Sequence, residues 1–251
     1  MSLRMRQICL VARHLAPVVA GFRAALGLEV CHRDPGVGKY GLENALFPIG
    51  HNFLEVVAPV RDGTTAGRYL DRRGGDGGYM VITQCDDLAP RRARCEAIGV
   101  RIANEIGHPE YRELQLHPRD VGAAMLSFGW QPGASDPGGP WHPAGRGGAE
   151  GEPSEYKESS PANQSSLVTA MRAAELQSED PDRLARRWSE VIERPVQMRD
   201  GQRVIALDDA TLRFIEAADG RGEGLGGLDL ACADPARAGL VELCGIRFRL
   251  I

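Results

Sequence analysis

The sequence predicts an α+β fold in which tandem βαβββ modules pair into curved mixed sheets around a concave cavity, with a degenerate second half. Three observations predict it. Within residues 78–130, GYMVITQCDDLAPRRARCEAIGVRI and then YRELQLHPRDVGAAMLSFGW read as strand, helix, strand, strand, strand. Residues 6–59 read the same way, and residues 167–251 repeat the order in eroded form, so the chain is internally repetitive. One four-stranded unit cannot bury both its helix face and a concave sheet face; two side by side can.

The elements follow in order. Gln7 to Ala12 reads as a strand, Ala16 to Leu26 as an amphipathic helix closed by Gly27, and Leu28 to His32 as a second strand. Gly41 to Pro48 and Asn52 to Ala58 are apolar and β-rich, separated by an IGHN turn. The connector GTTAGRYLDRRGGDGGYM reads as a flexible crossover, or as an anion site built on Arg68, Arg72 and Arg73. Its glycines are no nucleotide fingerprint, since no strand precedes them and no lysine follows. In the second module, Tyr79 to Cys85 is a strand and Asp86 and Asp87 stand at a helix N-cap. Leu88, Arg92, Cys95 and Ile98 recur at helical spacing up to Gly99. Val100 to Ala103 returns to strand, and the turn HPRDVG joins Tyr111–Leu116 to Ala123–Gly129.

Residues 131–166 are rich in Gly, Pro and Ser and poor in aliphatic side chains, which predicts a linker between a 1–130 paired-module domain and a 167–251 region. Trp130, Trp141 and Tyr156 can anchor it as a lid; the other reading is a surface connection. Beyond it, Ala170 to Leu176 is a strand and Asp182 to Ile192 a helix. Val204 to Leu207 and Thr211 to Ala217 are strands, and together these form a third module. Gly227 to Cys232 and Ile246 to Ile251 keep the first and last strands of an abbreviated fourth.

A net charge of −4, with no basic stripe interleaved with aromatics, argues against a nucleic-acid partner. No apolar run approaches the length that spans a bilayer and no signal peptide is evident, so no membrane partner and a cytoplasmic location are expected. The six cysteines lack CxxC spacing and mostly lie in apolar patterns, which predicts buried free thiols.

The tandem modules, the RHL and DDL steps into the helices, and the strand after HPRDVG resemble the vicinal oxygen chelate superfamily. That superfamily includes glyoxalase I, extradiol dioxygenases, bleomycin-resistance proteins and methylmalonyl-CoA epimerase. FPIGHNFLEVVAPV and the connector after it resemble bacterial glyoxalase-like proteins. The resemblance implies a divalent metal held by the first and last strands of paired modules. The matching positions here are Gln7, Glu55, Met80 and Ser127; Met and Ser are poor ligands for such ions, so the set is incomplete and no metal ligand is assigned.

Strand parity aims Gln7, Cys9, Phe53, Glu55, Met80, Gln84, Met125 and Ser127 at an apolar cup of the kind that takes a small molecule. Glu55, whose pKa desolvation would raise, is the candidate general base, with Gln7 beside it; the competing reading is a structural carboxylate that hydrogen-bonds Gln7 or Ser127, or reaches solvent, and does no chemistry. Phe53, Met80, Gln84, Met125, Ser127 and His117 are the expected substrate-binding residues. For His117 a turn role is the competing reading. The resemblance implies a lyase or isomerase acting on a small oxygenated metabolite, or a protein that sequesters a small molecule in the bleomycin-resistance manner. Whether the modules pair within one chain or across a homodimer is left open by the sequence.

Overall fold

A computed structural model describes residues 2–134 and 165–251. The predicted linker and its anchors Trp141 and Tyr156 fall almost wholly outside the described residues.

The first module runs β1 (Leu3–Val11), α1 (Leu15–Leu26), β2 (Leu42–Ile49) and β3 (Asn52–Pro59). Helix α1 ends where predicted, because Gly27 takes a left-handed φ of 62° and its N–H closes back on Arg23 O. The strand expected at Leu28 to His32 is reduced to a single bridge between His32 and Leu46. Asp34 then caps a short 3-10 turn over Pro35–Tyr40, which carries the chain to β2.

The connector expected to be flexible folds into helix α2 (Thr65–Arg73). Thr64 Oγ1 accepts from Gly67 N at 2.9 Å, Gly74 provides the left-handed stop, and Leu70 is buried. Tyr69 Oη donates to Gly78 O, and Arg13 Nη2 pairs with Asp71 at 2.7 Å.

The second module comprises β4 (Gly77–Cys85), α3 (Ala89–Ala97), β5 (Ile102–His108), β6 (Tyr111–Leu116), α4 (Pro118–Val121) and β7 (Met125–Trp130), in the predicted order. The HPRDVG turn contains the one-turn α4. The third has β8 (Val168–Ser178), α5 (Pro181–Ile192), β9 (Val196–Arg199), β10 (Gln202–Ala206) and β11 (Thr211–Glu216). The fourth has β12 (Gly224–Cys232), β13 (Gly239–Leu243) and β14 (Ile246–Leu250), with a 3-10 turn at Pro235–Arg237 where the other modules have a helix. The short edge strands β9 and β13 are largely exposed and were not expected.

The strands form two seven-stranded mixed sheets, ordered β2-β3-β1-β4-β7-β6-β5 and β13-β14-β12-β8-β11-β10-β9. Within the first three modules the first and last strands pair in parallel, as β1 with β3, β4 with β7 and β8 with β11. The expected α+β fold of tandem modules is the fold observed.

Two compact units are built from interleaved segments. Of the described residues, one takes 2–6, 79–134 and 172–227; the other takes 7–78, 165–171 and 228–251. In the second-named unit, Phe22 on α1 meets Phe47 and Phe248 edge to face, at 5.4 and 5.5 Å between ring centroids. There Gly50, at φ 59°, passes so close to the β8 backbone that an added Cβ would lie 2.5 Å from Thr169 O. In the first-named unit, Trp188 on α5 is fully buried against Phe214, and the Arg91 guanidinium donates to Ile192 O at 2.9 Å, satisfying one of the C-terminal carbonyls of α5.

Candidate functional site

The parallel register of β1 and β3 sets Gln7 opposite Phe53 and Cys9 opposite Glu55, while antiparallel β2 sets Leu46 opposite Glu55 and Asn44 opposite Val57. Gln7, Cys9, Asn44, Phe53 and Glu55 thereby share one sheet face, by the alternation of strand side chains. Phe53 packs with Cys31 and Leu46 into an apolar cluster.

Glu55 is the polar centre of this face. Gln7 Nε2 donates to Glu55 Oε2 at 2.7 Å, and Asn44 Nδ2 donates to Glu55 Oε1 at 2.7 Å. The Asn44 amide is oriented from behind, since its Oδ1 accepts from Asp34 N at 2.8 Å and only its NH2 is left to face the carboxyl. Burial pushes the Glu55 carboxyl above its ordinary range. The Asn44 amide, the Cys9 thiol and the Gln7 amide favour the charged form without reversing the shift, and the Asp34 charge raises it further. Gln7 Oε1 is buried and has no hydrogen-bond partner. A proton acceptor thus stands beside a second, open acceptor that can take an O–H from a bound molecule.

A metal of the superfamily's kind does not fit this donor set. Both Glu55 oxygens face amide N–H groups, and the other two matching positions are the thioether of Met80 and the hydroxyl of Ser127. Among the described residues, no group of three or more His, Cys, Asp or Glu converges on a point.

The remaining expected residues lie in the other unit. The β4–β7 register pairs Met80 with Met125, Ile82 with Ser127 and Gln84 with Gly129, and β6 adds Glu113 opposite Gly129. Met80, Gln84 and Ser127 are buried. Around them stand residues that the sequence reading missed. The fully buried Arg6 donates through Nη1 to Gln84 Oε1 and, at 2.8 Å, to Gln131 Oε1. Its guanidinium lies 4.9 Å from the Tyr111 ring centroid. Glu113 is buried, accepts from Tyr111 Oη at 3.0 Å, and is pushed upward in pKa by desolvation against the opposing influence of Ser127, Tyr111, Gln115 and Arg6. Its signal was present: Tyr111, Glu113 and Gln115 alternate with Leu114 and Leu116, but an acidic residue alternating with leucines reads as solvent-facing unless both faces are covered. His117 caps α4, its Nδ1 accepting from Arg119 N at 3.3 Å.

A family model described as a glyoxalase-like domain matches residues 8–192. A hypothetical protein from Staphylococcus aureus, 11% identical, superposes with a TM-score of 0.72 over 100% of this chain and 99% of its own. The methylmalonyl-CoA epimerase of Streptomyces coelicolor is 23% identical, with a TM-score of 0.46 over 51% of this chain and 97% of its own. For that of Mycobacterium tuberculosis the figures are 20%, 0.45, 51% and 87%. Likeness at these identities speaks for the fold alone, and the two epimerases, each matching about half of the chain, carry no argument about chemistry. Among curated proteins none matches the chain.

Proposed function

The chain belongs to the glyoxalase-like domain family, and from that membership we propose that it is a lyase or isomerase that moves a proton on a small oxygenated metabolite, with Glu55 as the base. One observation carries the reading: a buried carboxyl, raised in pKa, is clamped by the amide N–H groups of Gln7 and Asn44 beside the open acceptor Gln7 Oε1. A base works best when its pKa is near the working pH, and desolvation moves Glu55 in that direction. Each carboxylate oxygen has two lone-pair sites, so the amide bonds leave capacity for a proton. The clamp fixes the carboxyl's plane, Gln7 Oε1 accepts the substrate's hydroxyl, and Phe53 supplies an apolar wall that excludes water. No step is routed through a metal. Free thiols in every cysteine suit a reducing compartment and support a cytoplasmic location. Among the described residues no helix is long and apolar enough to cross a membrane.

The test is solvent-deuterium incorporation into substrates with an acidic C–H, hemithioacetals and 2-methylmalonyl thioesters first, with wild-type protein and Glu55→Gln. Exchange should be catalysed by the wild type, persist in chelator, and fall by about 100-fold or more in Glu55→Gln while ligand affinity is retained. Tight ligand binding with no exchange in either protein would instead favour a sequestering protein.

A further inference from the structure

Behind Glu55, in the same unit, runs a chain of hydrogen bonds whose far end the proton-transfer reading does not use. The half-buried Asp34 takes part in it twice, through its backbone and through its side chain. Its N–H donates to Asn44 Oδ1 at 2.8 Å, and Asn44 Nδ2 donates to Glu55 Oε1 at 2.7 Å. The Asp34 carboxylate is held in turn by Gly36, whose N–H donates to Asp34 Oδ1 at 2.7 Å. Gly36 permits the close approach, since a Cβ there would lie 2.9 Å from the same oxygen. Arg33 Nη1 donates to Asn44 O at 3.1 Å, so the amide and the backbone of Asn44 are both tied to residues 33 and 34.

The register brings this segment to β2. His32 and Leu46 form an antiparallel bridge, in which Leu46 N donates to His32 O at 2.9 Å. Two residues on, Asp34 lies level with Asn44, and Pro35 starts the 3-10 turn. The Asn44 NH2 faces Glu55 and its carbonyl takes the Asp34 N–H, so the amide makes no link between the two carboxyls. Asp34 therefore reaches Glu55 in two ways, by orienting one amide and by its charge.

The charge has a definite sign of action, because a nearby anion disfavours a second one. Asp34 is placed to ionise first. The Gly36 N–H, His32 and Lys39 favour its charged form against burial, whereas Glu55 lies deeper. From β1 the titratable group facing Glu55 is Cys9; β2 presents Asn44 and Leu46 to it, with Glu43 on the opposite face. On α2, which packs against β3, the buried charge is Arg73, and Arg23 on α1 is exposed and paired with Glu29.

We propose that Asp34 is a positioning residue for the base: its backbone holds the Asn44 amide on the Glu55 carboxyl, and its carboxylate opposes a second negative charge there. The assignment rests on the reading of Glu55 as the base, and it has the form of an orienting group set behind a catalytic base.

The experiment is titration of the Glu55 carboxyl by carbon NMR in the whole glutamate-labelled chain, as wild type, Asp34→Asn and Asn44→Leu, with the exchange assay run across the same pH range. Asp34→Asn removes the charge and keeps both hydrogen bonds, because its Oδ1 still accepts from Gly36 N. The Glu55 midpoint should fall by about half a unit or more, and the acid limb of exchange should move down with it. Asn44→Leu removes a donor to the carboxylate and should move the midpoint upward. A merely structural role would not give shifts of opposite sign. An unchanged midpoint in Asp34→Asn, or shifts of one direction in both variants, overturns the proposal. So does an Asp34→Asn protein that fails to fold, because the hydrogen bonds of the segment do not need the charge. A midpoint that falls in Asp34→Asn while no protein catalyses exchange would uphold the link and sink the reading of Glu55 as the base. Exchange by the wild type with an unmoved midpoint in Asp34→Asn would do the reverse.

Discussion

At the scale of single residues, burial decides the chemistry. The same physics that raises Glu55 and Glu113 acts on the thiols: burial pushes Cys31 up to about 12 and Cys85 up to about 11. Cys9 and Cys95 are also buried, whereas Cys232 and Cys244 are half-buried. In the native protein at mildly alkaline pH, Cys232 and Cys244 should react quickly with a disulfide reagent, and the other four should follow only on unfolding. Thiol release against time, repeated in denaturant, checks this. Gln7 and Glu55 were legible in the sequence because strand alternation needs only a correct register. Asn44 was not: what aims its amide is a bond from the backbone of Asp34, and no spacing rule encodes that. Arg6 was missed because an arginine near a chain start reads as solvated, whereas here its guanidinium is covered by Tyr111 and two glutamine carbonyls.

At the scale of elements, the 3.6-residue and two-residue periodicities carried the order of helices and long strands. Short elements escaped them. Strands β9 and β13 have few buried positions, so no alternation marks them, and α2 was hidden by flanking glycines although Thr64 and Gly74 are ordinary start and stop signals. The expected strand at Leu28 to His32 gains only the His32–Leu46 bridge, because the chain turns away at Asp34 into the capped 3-10 segment. Among helices, α5 has the clearest apolar stripe, Leu184, Trp188, Val191 and Ile192 being buried. Trp188 packs on Phe214, and its Nε1 donates to Gly122 O at 3.3 Å. Trp188→Ala should therefore destabilise the protein by about 3–5 kcal/mol, read as a lower denaturation midpoint at an unchanged slope.

At the scale of the whole molecule, the repeat that is contiguous in sequence is not contiguous in the compact units. Each unit draws on three separated segments, and each includes chain beyond residue 165. A fragment of residues 1–134 lacks Phe248 beneath α1, and it lacks α5, whose C-terminus Arg91 satisfies. That fragment should expose apolar surface, bind a hydrophobic dye and unfold without cooperativity; a sharp two-state transition would show that the paired modules fold alone.

Each unit also contains a buried carboxyl of raised pKa, Glu55 in one and Glu113 in the other. For such a group the folded protein holds a proton that the unfolded chain has released. Stability from this source is complete below the ordinary Glu range, about 4.3, and declines as pH rises through it toward the folded value. Asp120 runs the other way. Arg101 holds its carboxyl below the usual range, so its contribution is present above that range and lost as pH falls through the depressed value.

The titration of the Glu55 carboxyl, followed by carbon NMR in glutamate-labelled protein with Glu55→Gln to assign the resonance, decides whether this residue is poised to take a proton. A midpoint clearly above the ordinary Glu range, in a resonance absent from the variant, is the predicted result. A Glu55 midpoint at or below that range would mean that the amide clamp outweighs desolvation, and it would contradict the assignment of Glu55 as the base.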